Sequence, residues 1–231
     1  MTDQASREPL RLSQLPLFPL ESVLFPDGSL SLRVFEVRYL DMIQRCERAG
    51  APFGVVLLTR GGEVQQPAPN PLQATQGTPF AKEDFESVGT LASILDIQRP
   101  QEGLLMVHCK GGSRFTIGNK RRLPHGLWIA DVELMPEDSV VPVPEHLVRV
   151  REALKNVMSR IQPASSPNRN QDNGSRWDDA GWVANRWMEL VPVQPLLKQR
   201  LMALDNPLVR LELVADVLEK LGLTTEPSGN Q

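Results

Sequence analysis

With 231 residues the chain has room for one large or two small domains at the usual ~100–200 residues each, and its 41% hydrophobic and 23% charged residues are those of a folded globular protein, not of an extended polyelectrolyte. A formal net charge of −3 provides no overall attraction to nucleic-acid phosphates or to an anionic membrane, so any basic surface must be a local patch. No apolar run reaches the ~20 residues needed to cross a bilayer, and the polar opening Met1–Pro9 lacks the charged-then-apolar order of a secretion signal, which points to the cytoplasm and away from a membrane.

Residues 1–9 read as a flexible tail, and from there to about residue 135 the pattern is mostly that of strands. Val23-Leu24-Phe25 runs into Pro26-Asp27-Gly28, where proline presets φ and glycine permits positive φ. Leu30, Leu32 and Val34 then alternate with Ser31 and Arg33, so the stretch predicts two strands with a tight connection. From Glu36 to Ala49 the period changes to that of a helix, with Tyr39, Leu40, Ile43 and Cys46 on one face and Gly50 suited to the left-handed position after its end. Phe53–Leu58 predicts another strand. The Pro-, Gln- and Asn-rich Gln65–Gln76 has little to bury and is expected to make a long surface excursion. Apolar runs follow at Val88–Ile97, Leu104–Cys109, Arg114–Ile117 and Leu127–Leu134; in the last, Trp128, Ala130, Val132 and Leu134 alternate with Ile129, Asp131 and Glu133. Short strands at this spacing predict a compact barrel or sandwich with one inserted helix.

Beyond Pro136 the helical period takes over. Leu147, Val150, Leu154, Val157 and Ile161 form one stripe, Val183, Trp187 and Leu190 a second stopped by Pro192, and Leu197, Leu201 and Leu204 a third. The fourth has Asn206 as cap, Pro207 at the first turn, Leu211, Val214, Ala215 and Leu218 as its stripe, and Lys220 with Gly222 at its end. Together they predict an α-helical bundle over residues 137–223. Pro163–Asp179, polar apart from Trp177, is expected to be a flexible loop, and 224–231 a flexible tail. The fold class is therefore α+β, with a β-rich domain over residues 10–136 ahead of the bundle.

The chain holds no Gly-x-x-x-x-Gly-Lys-Ser/Thr and no Gly-x-Gly-x-x-Gly. Gly111-Gly112-Ser113-Arg114-Phe115 lacks the second glycine of a nucleophile elbow, leaving Ser113 as a loop residue. His108, His125 and His146 are far apart and no Cys-x-x-Cys occurs, so no zinc spacing is present; Cys46 and Cys109 read as small buried hydrophobes. Asp178 with Asp179, and Glu137 with Asp138, read as solvated charges or caps at loop and helix-start positions. No catalytic, metal-binding or cofactor-binding residue is assigned, and the chain is not read as an enzyme.

Two features could serve a macromolecular partner. The basic stretch Lys110–Arg122, with Arg114, Lys120, Arg121 and Arg122 around Phe115, fits either RNA contact on a strand platform or a solvated hairpin tip. Of Trp177, Trp182 and Trp187, the last lies on a helical stripe and belongs with the core, whereas Trp177 in the polar loop is a candidate contact residue.

Leu15-Pro16-Leu17-Phe18-Pro19-Leu20, then Val23-Leu24-Phe25-Pro26 and Leu30-x-Leu32-Arg33-Val34-Phe35-Glu36-x-Arg38-Tyr39, resembles the opening of the Lon protease N-terminal domain, particularly its stand-alone bacterial versions. Phe53-Gly54-Val55-Val56-Leu57, Gly89-Thr90, Gly112-x-Arg114-Phe115 and Ala130-x-Val132 are similar to later marks of that domain, in the same order over roughly residues 10–222. The resemblance implies a PUA-like pseudo-barrel followed by a helical bundle. It also implies a non-catalytic protein-binding module, since in Lon the equivalent region helps recognise unfolded or tagged substrates while later domains hydrolyse ATP and cut peptides. With no P-loop and no room after the bundle for a protease domain, those activities are not expected here. The expected partner is a polypeptide, unfolded segments included; the alternative is an RNA-binding PUA-like module. Arg33, Glu36, Arg38 and Tyr39 surround the strand-to-helix junction, where they could build either a structural ion-pair cluster or a clamp for a peptide carboxylate. With Arg114 and Trp177 they make up the candidate binding surface. An apolar groove between the two domains is a further expected contact region.

Overall fold

The computed structural model describes residues 9–63, 82–161 and 176–223. The predicted excursion Gln65–Gln76, most of the two predicted tails and residues 163–175 of the predicted loop lie outside the described residues. The chain divides into two units, Met1–Glu137 and Asp138–Gln231.

In the first unit the run Leu15–Leu20 is apolar at nearly every position, as a strand buried on both faces requires. It belongs to β1 (Arg11–Leu20), followed by β2 (Ser29–Val34), α1 (Val37–Ala49), β3 (Phe53–Arg60), β4 (Asp84–Gln101), β5 (Leu104–Arg122) and β6 (Trp128–Leu134). The sheet order is β2-β5-β4-β3-β1-β6, and β6 pairs with β5 as well, so β5, β4, β3, β1 and β6 close on themselves. All these pairings are antiparallel except β1 with β3, whose connection carries α1. Along β5, β2 takes Leu105–Lys110 and β6 takes Phe115–Arg122. One core gathers Leu15, Leu17, Val56, Leu91, Phe115 and Val132, the other Phe18, Leu20, Leu32, Val34, Tyr39, Ile43, Phe53 and Val107. Successive side chains of a strand point to opposite faces, so β1 feeds Leu15 and Leu17 to one core and Phe18 and Leu20 to the other.

Three local expectations are corrected. Val23–Phe25 is not a strand: Leu24 and Phe25 are buried because a loop folds over the sheet, held by Thr90 Oγ1 donating to Leu24 O at 2.7 Å. The turn at Pro26–Gly28 is present, with Gly28 N donating to Phe25 O, but the positive φ of 59° falls on Asp27. Aspartate tolerates this conformation better than most residues, and its carboxylate meets Lys110 Nζ at 2.9 Å. Finally, the two runs either side of Gly111-Gly112-Ser113 are one strand, with Ser113 inside it. Gly111 is there for close approach: a Cβ at this position would stand 2.1 Å from Phe25 O, in the path of the loop.

The second unit contains α2 (Val148–Ile161), α3 (Ala180–Leu190), α4 (Pro195–Met202) and α5 (Pro207–Lys220). Asn206 caps α5, accepting from Leu208 N at 3.0 Å and Val209 N at 3.1 Å. α3 is buried continuously from Ala180 to Met188, and Trp187 Nε1 donates to Val150 O at 2.9 Å, tying it to α2. The end of the predicted flexible loop is structured: Arg176–Asp178 forms a 3-10 turn and Asp179 caps α3 by accepting from Gly181 N. Burial raises the Asp179 pKa, while the amides it accepts from oppose that rise.

Asp138 is neither a cap nor a merely solvated charge. It pairs in two-pronged fashion with Arg210, through Nη1 at 2.5 Å and Nη2 at 3.2 Å. The Arg210 side chain is fully buried and also donates to Leu201 O, Leu204 O and Asn185 Oδ1, so one guanidinium gathers α3, α4 and the residues before α5. Because truncation strands a buried carboxylate and several carbonyls, Arg210→Ala is expected to cost about 3–5 kcal/mol, measured by urea unfolding. Adding Asp138→Leu to an Arg210→Met chain should recover a substantial part of the loss.

Candidate functional site: the junction of β2 and α1

Glu36 lies between β2 and α1, immediately before the helix and with extended backbone angles, and its carbonyl accepts from Tyr39 N and Leu40 N. Its carboxylate does not cap the helix; it accepts from Arg38 Nε at 3.0 Å. Arg38 turns inward and is only 3% exposed. Its Nη1 donates to Gly126 O at 2.9 Å and lies 3.5 Å from Glu83 Oε1, and its guanidinium sits 4.4 Å from the centre of the Tyr39 ring.

Glu83, itself buried, joins a second cation: Arg122 Nη2 lies 3.2 Å from Oε1, while Trp128 Nε1 donates to Oε2 at 2.8 Å. Arg122 Nε reaches the same Gly126 carbonyl at 3.2 Å. Two guanidiniums and two carboxylates thus form a network whose formal charges cancel, pinning the first turn of α1 to the start of β4 and the β5–β6 connection. Burial lowers the Arg122 pKa, opposed by Glu83, and burial raises that of Tyr39. Tyr39 also stacks on Phe18, centroids 4.0 Å apart and planes 10° from parallel.

Beside this network lies a cleft of about 360 Å³, lined by Phe18, Leu20, the run Leu30–Glu36, Tyr39 and Glu63. At its rim Phe35 is 52% exposed, and Val37, the first residue of α1, is 73% exposed. The site therefore combines a preset ionic base, an apolar wall and an accessible apolar lip. Among the described residues no group of His, Cys, Asp or Glu is placed to hold a metal ion.

Of the residues singled out by sequence, Glu36, Arg38 and Tyr39 come together here. Arg33 lines the cleft with its side chain exposed, and among the described residues it joins no ion pair. Arg114 does not belong to any surface: it sits inside β5 at 4% exposure, because the strand continues where a turn was expected. Trp177 lies in the other unit, half-buried, edge-on to Trp182 at 4.9 Å and with Lys155 Nζ 5.7 Å from its ring centre. Sequence reasoning missed Glu83, Gly126 and Trp128 as members of the network and read Arg122 only as part of a basic stretch. Nothing in their local sequence marks them, since they reach Arg38 only when β4, β5 and β6 pair. The basic stretch itself is dispersed, with Arg114 buried, Arg122 on Glu83, and Lys120 Nζ 4.1 Å from the centre of the Phe85 ring.

A mixed sheet with an inserted helix, followed by further helices, is the architecture of Lon N-terminal domains. The structure is similar to the crystal structure of a Lon N-terminal domain protein from Xanthomonas campestris, with a TM-score of 0.65 and 28% identity over 89% of this chain and 98% of that one. It shares its fold with the N-terminal domain of the Mycobacterium avium complex Lon protease, with a TM-score of 0.53 and 17% identity over 88% and 96% of the two chains. Among curated proteins none matches the chain. The model of the ATP-dependent protease La (LON) substrate-binding domain matches residues 14–220, and the chain belongs to that family.

Removing Glu83 leaves two buried guanidiniums facing each other, so Glu83→Ala is expected to destabilise by about 3–5 kcal/mol in urea unfolding, whereas exposed Arg33→Ala should stay within about 0.5 kcal/mol. Tyr39 supplies a pH signature. Its folded pKa is raised, so above pH ~10 the unfolded chain loses the phenolic proton while the folded chain keeps it, and stability falls as pH climbs. Tyr39→Phe should show a shallower alkaline decline than the parent in denaturation midpoints taken from pH 8 upward.

Proposed function

We propose that this chain is a non-catalytic polypeptide-recognition module and that the cleft at the β2–α1 junction is where a chain segment is received. The observation that carries the reading is the pairing of exposed Phe35 and Val37 with a rigid ionic base beneath α1. Apolar side chains held out on a fixed support keep little entropy to lose on binding, and their burial contributes favourably without reorganising the protein. Membership of a substrate-binding domain family agrees with it. The closure of five strands by the β5–β6 pairing supports a PUA-like pseudo-barrel for the first unit, and the packing of α3 against α2 and α5 supports a helical bundle for the second. RNA binding is the second reading; its cationic basis is thinner, with Arg114 buried and Arg122 committed to Glu83.

Fluorescence anisotropy with a labelled, permanently unfolded protein tests the proposal. Binding tighter than a Kd of ~100 μM, or about 5.5 kcal/mol, is expected. Phe35→Ser with Val37→Ser should weaken it roughly tenfold while leaving the fold intact, since both side chains are exposed. Undiminished binding by that variant would move the site elsewhere.

A further inference from the structure

We infer that β2 is an acceptor edge, and that the polypeptide received here adds to it as an extended strand with a carboxylate side chain against Arg33. The inference rests on the polypeptide-recognition reading and specifies its mode.

The first ground is backbone geometry. β2 is the end strand of the sheet and among the described residues pairs only with β5. Its unbroken run Leu30–Val34 lines the cleft, followed by Phe35 and Glu36 beyond the strand. Side chains of a strand alternate between faces, so every successive residue can border one cleft only if the backbone edge itself forms the wall. The phase of the ladder then says which groups are on offer. Gly111 N donates to Gly28 O at 2.8 Å and Ser29 is opposite Lys110, so, counting by twos, Leu30, Leu32 and Val34 direct their amides and carbonyls at β5. Those of Ser29, Ser31 and Arg33 point the other way, into the cleft.

The second ground is charge. Arg33 is exposed and, among the described residues, without a counter-ion. Across the cleft Glu63 accepts from the backbone of Glu21, and among the described residues neither carboxylate has a cation. The edge thus offers a positive charge on β2 and a negative one on the facing rim. A strand with Asp or Glu opposite Arg33 and Lys or Arg towards Glu63 satisfies both, by the cross-strand pairing that stabilises sheets. A second copy of β2 cannot, because Ser29–Val34 contains no acidic residue to meet Arg33.

The test uses a labelled peptide of about ten residues, alternating Val and Thr with one Glu and one Lys, in two N-methylated forms that block alternate sets of backbone amides. One form should lose at least about tenfold in affinity and the other change less than about twofold, because only one set of amides faces β2. On the protein side, Ser31→Pro removes a cleft-facing amide without breaking the β2–β5 ladder and should abolish binding with little change in melting temperature. Arg33→Glu should weaken the Glu-bearing peptide and recover affinity when that Glu is replaced by Lys. Should Ser31→Pro fail to fold, the methylated peptides on the parent protein still decide. Equal losses from both methylated forms, or unchanged binding by a folded Ser31→Pro, would overturn strand addition while leaving polypeptide recognition standing. Dimers in sedimentation that dissolve in Ser31→Pro, with no peptide bound, would overturn it in favour of self-pairing. If neither peptide nor unfolded protein binds, both readings fall.

Discussion

Everything in the first unit depends on β1, whose Leu15–Leu20 stretch is buried between two cores and whose edges are taken in turn, by β6 over Arg11–Leu17 and by β3 over Leu17–Leu20. Its alternating side chains supply two separate cores, while β3 and β6 take its two edges. Once β6 also reaches β5 the ring of strands closes, and among the described residues β2 is left outside it, bonded along one edge only. The position of the candidate site is thus a consequence of closure: the strand left outside the ring is the one next to the cleft.

Placing α1 requires a further device, because a helix entered straight from a strand needs its first turn held at a definite angle. The network of Glu36, Arg38, Glu83 and Arg122 does this. Buried ion pairs contribute little net stability after desolvation, and their value lies in geometry: each charge has a single arrangement in which it is compensated. Gly126 O, accepting from both arginines, adds a fixed point on the β5–β6 connection. With α1 held, Phe35 and Val37 remain outside, although packing alone would draw such side chains in.

The second unit solves a similar problem with Arg210, whose donors collect carbonyls at the end of α4 and after it as well as Asp138. In both units a buried arginine holds segments that hydrophobic contact would leave free to slide, since apolar packing is non-directional and a guanidinium fork is not. A signal for Arg210 was present: it stands four residues before Val214, on the period of the apolar stripe of α5. Arg38 and Arg114 carry no such mark, and their burial follows from the strands around them.

From the sequence alone, the helices, the ends marked by Gly50 and Asn206, the alternation of β2 and β6 and the kinship with Lon N-terminal domains were legible, because periodicity, capping residues and short motifs act between near neighbours; the stripe Leu197–Leu204 ran past its helix, since α4 ends at Met202. The apolar continuity of Leu15–Leu20 was visible too, and its cause is the two-faced burial of β1. What the tertiary structure decided were the matters that need distant segments to meet: that Gly111 and Gly112 lie within a strand and do not end one, that Glu83 and Arg122 complete the cluster begun by Glu36 and Arg38, and that Arg114 is inside while Arg33 is out. A side chain's partners are set by sheet register and by which edge closes on which, and these are long-range choices that no local pattern encodes.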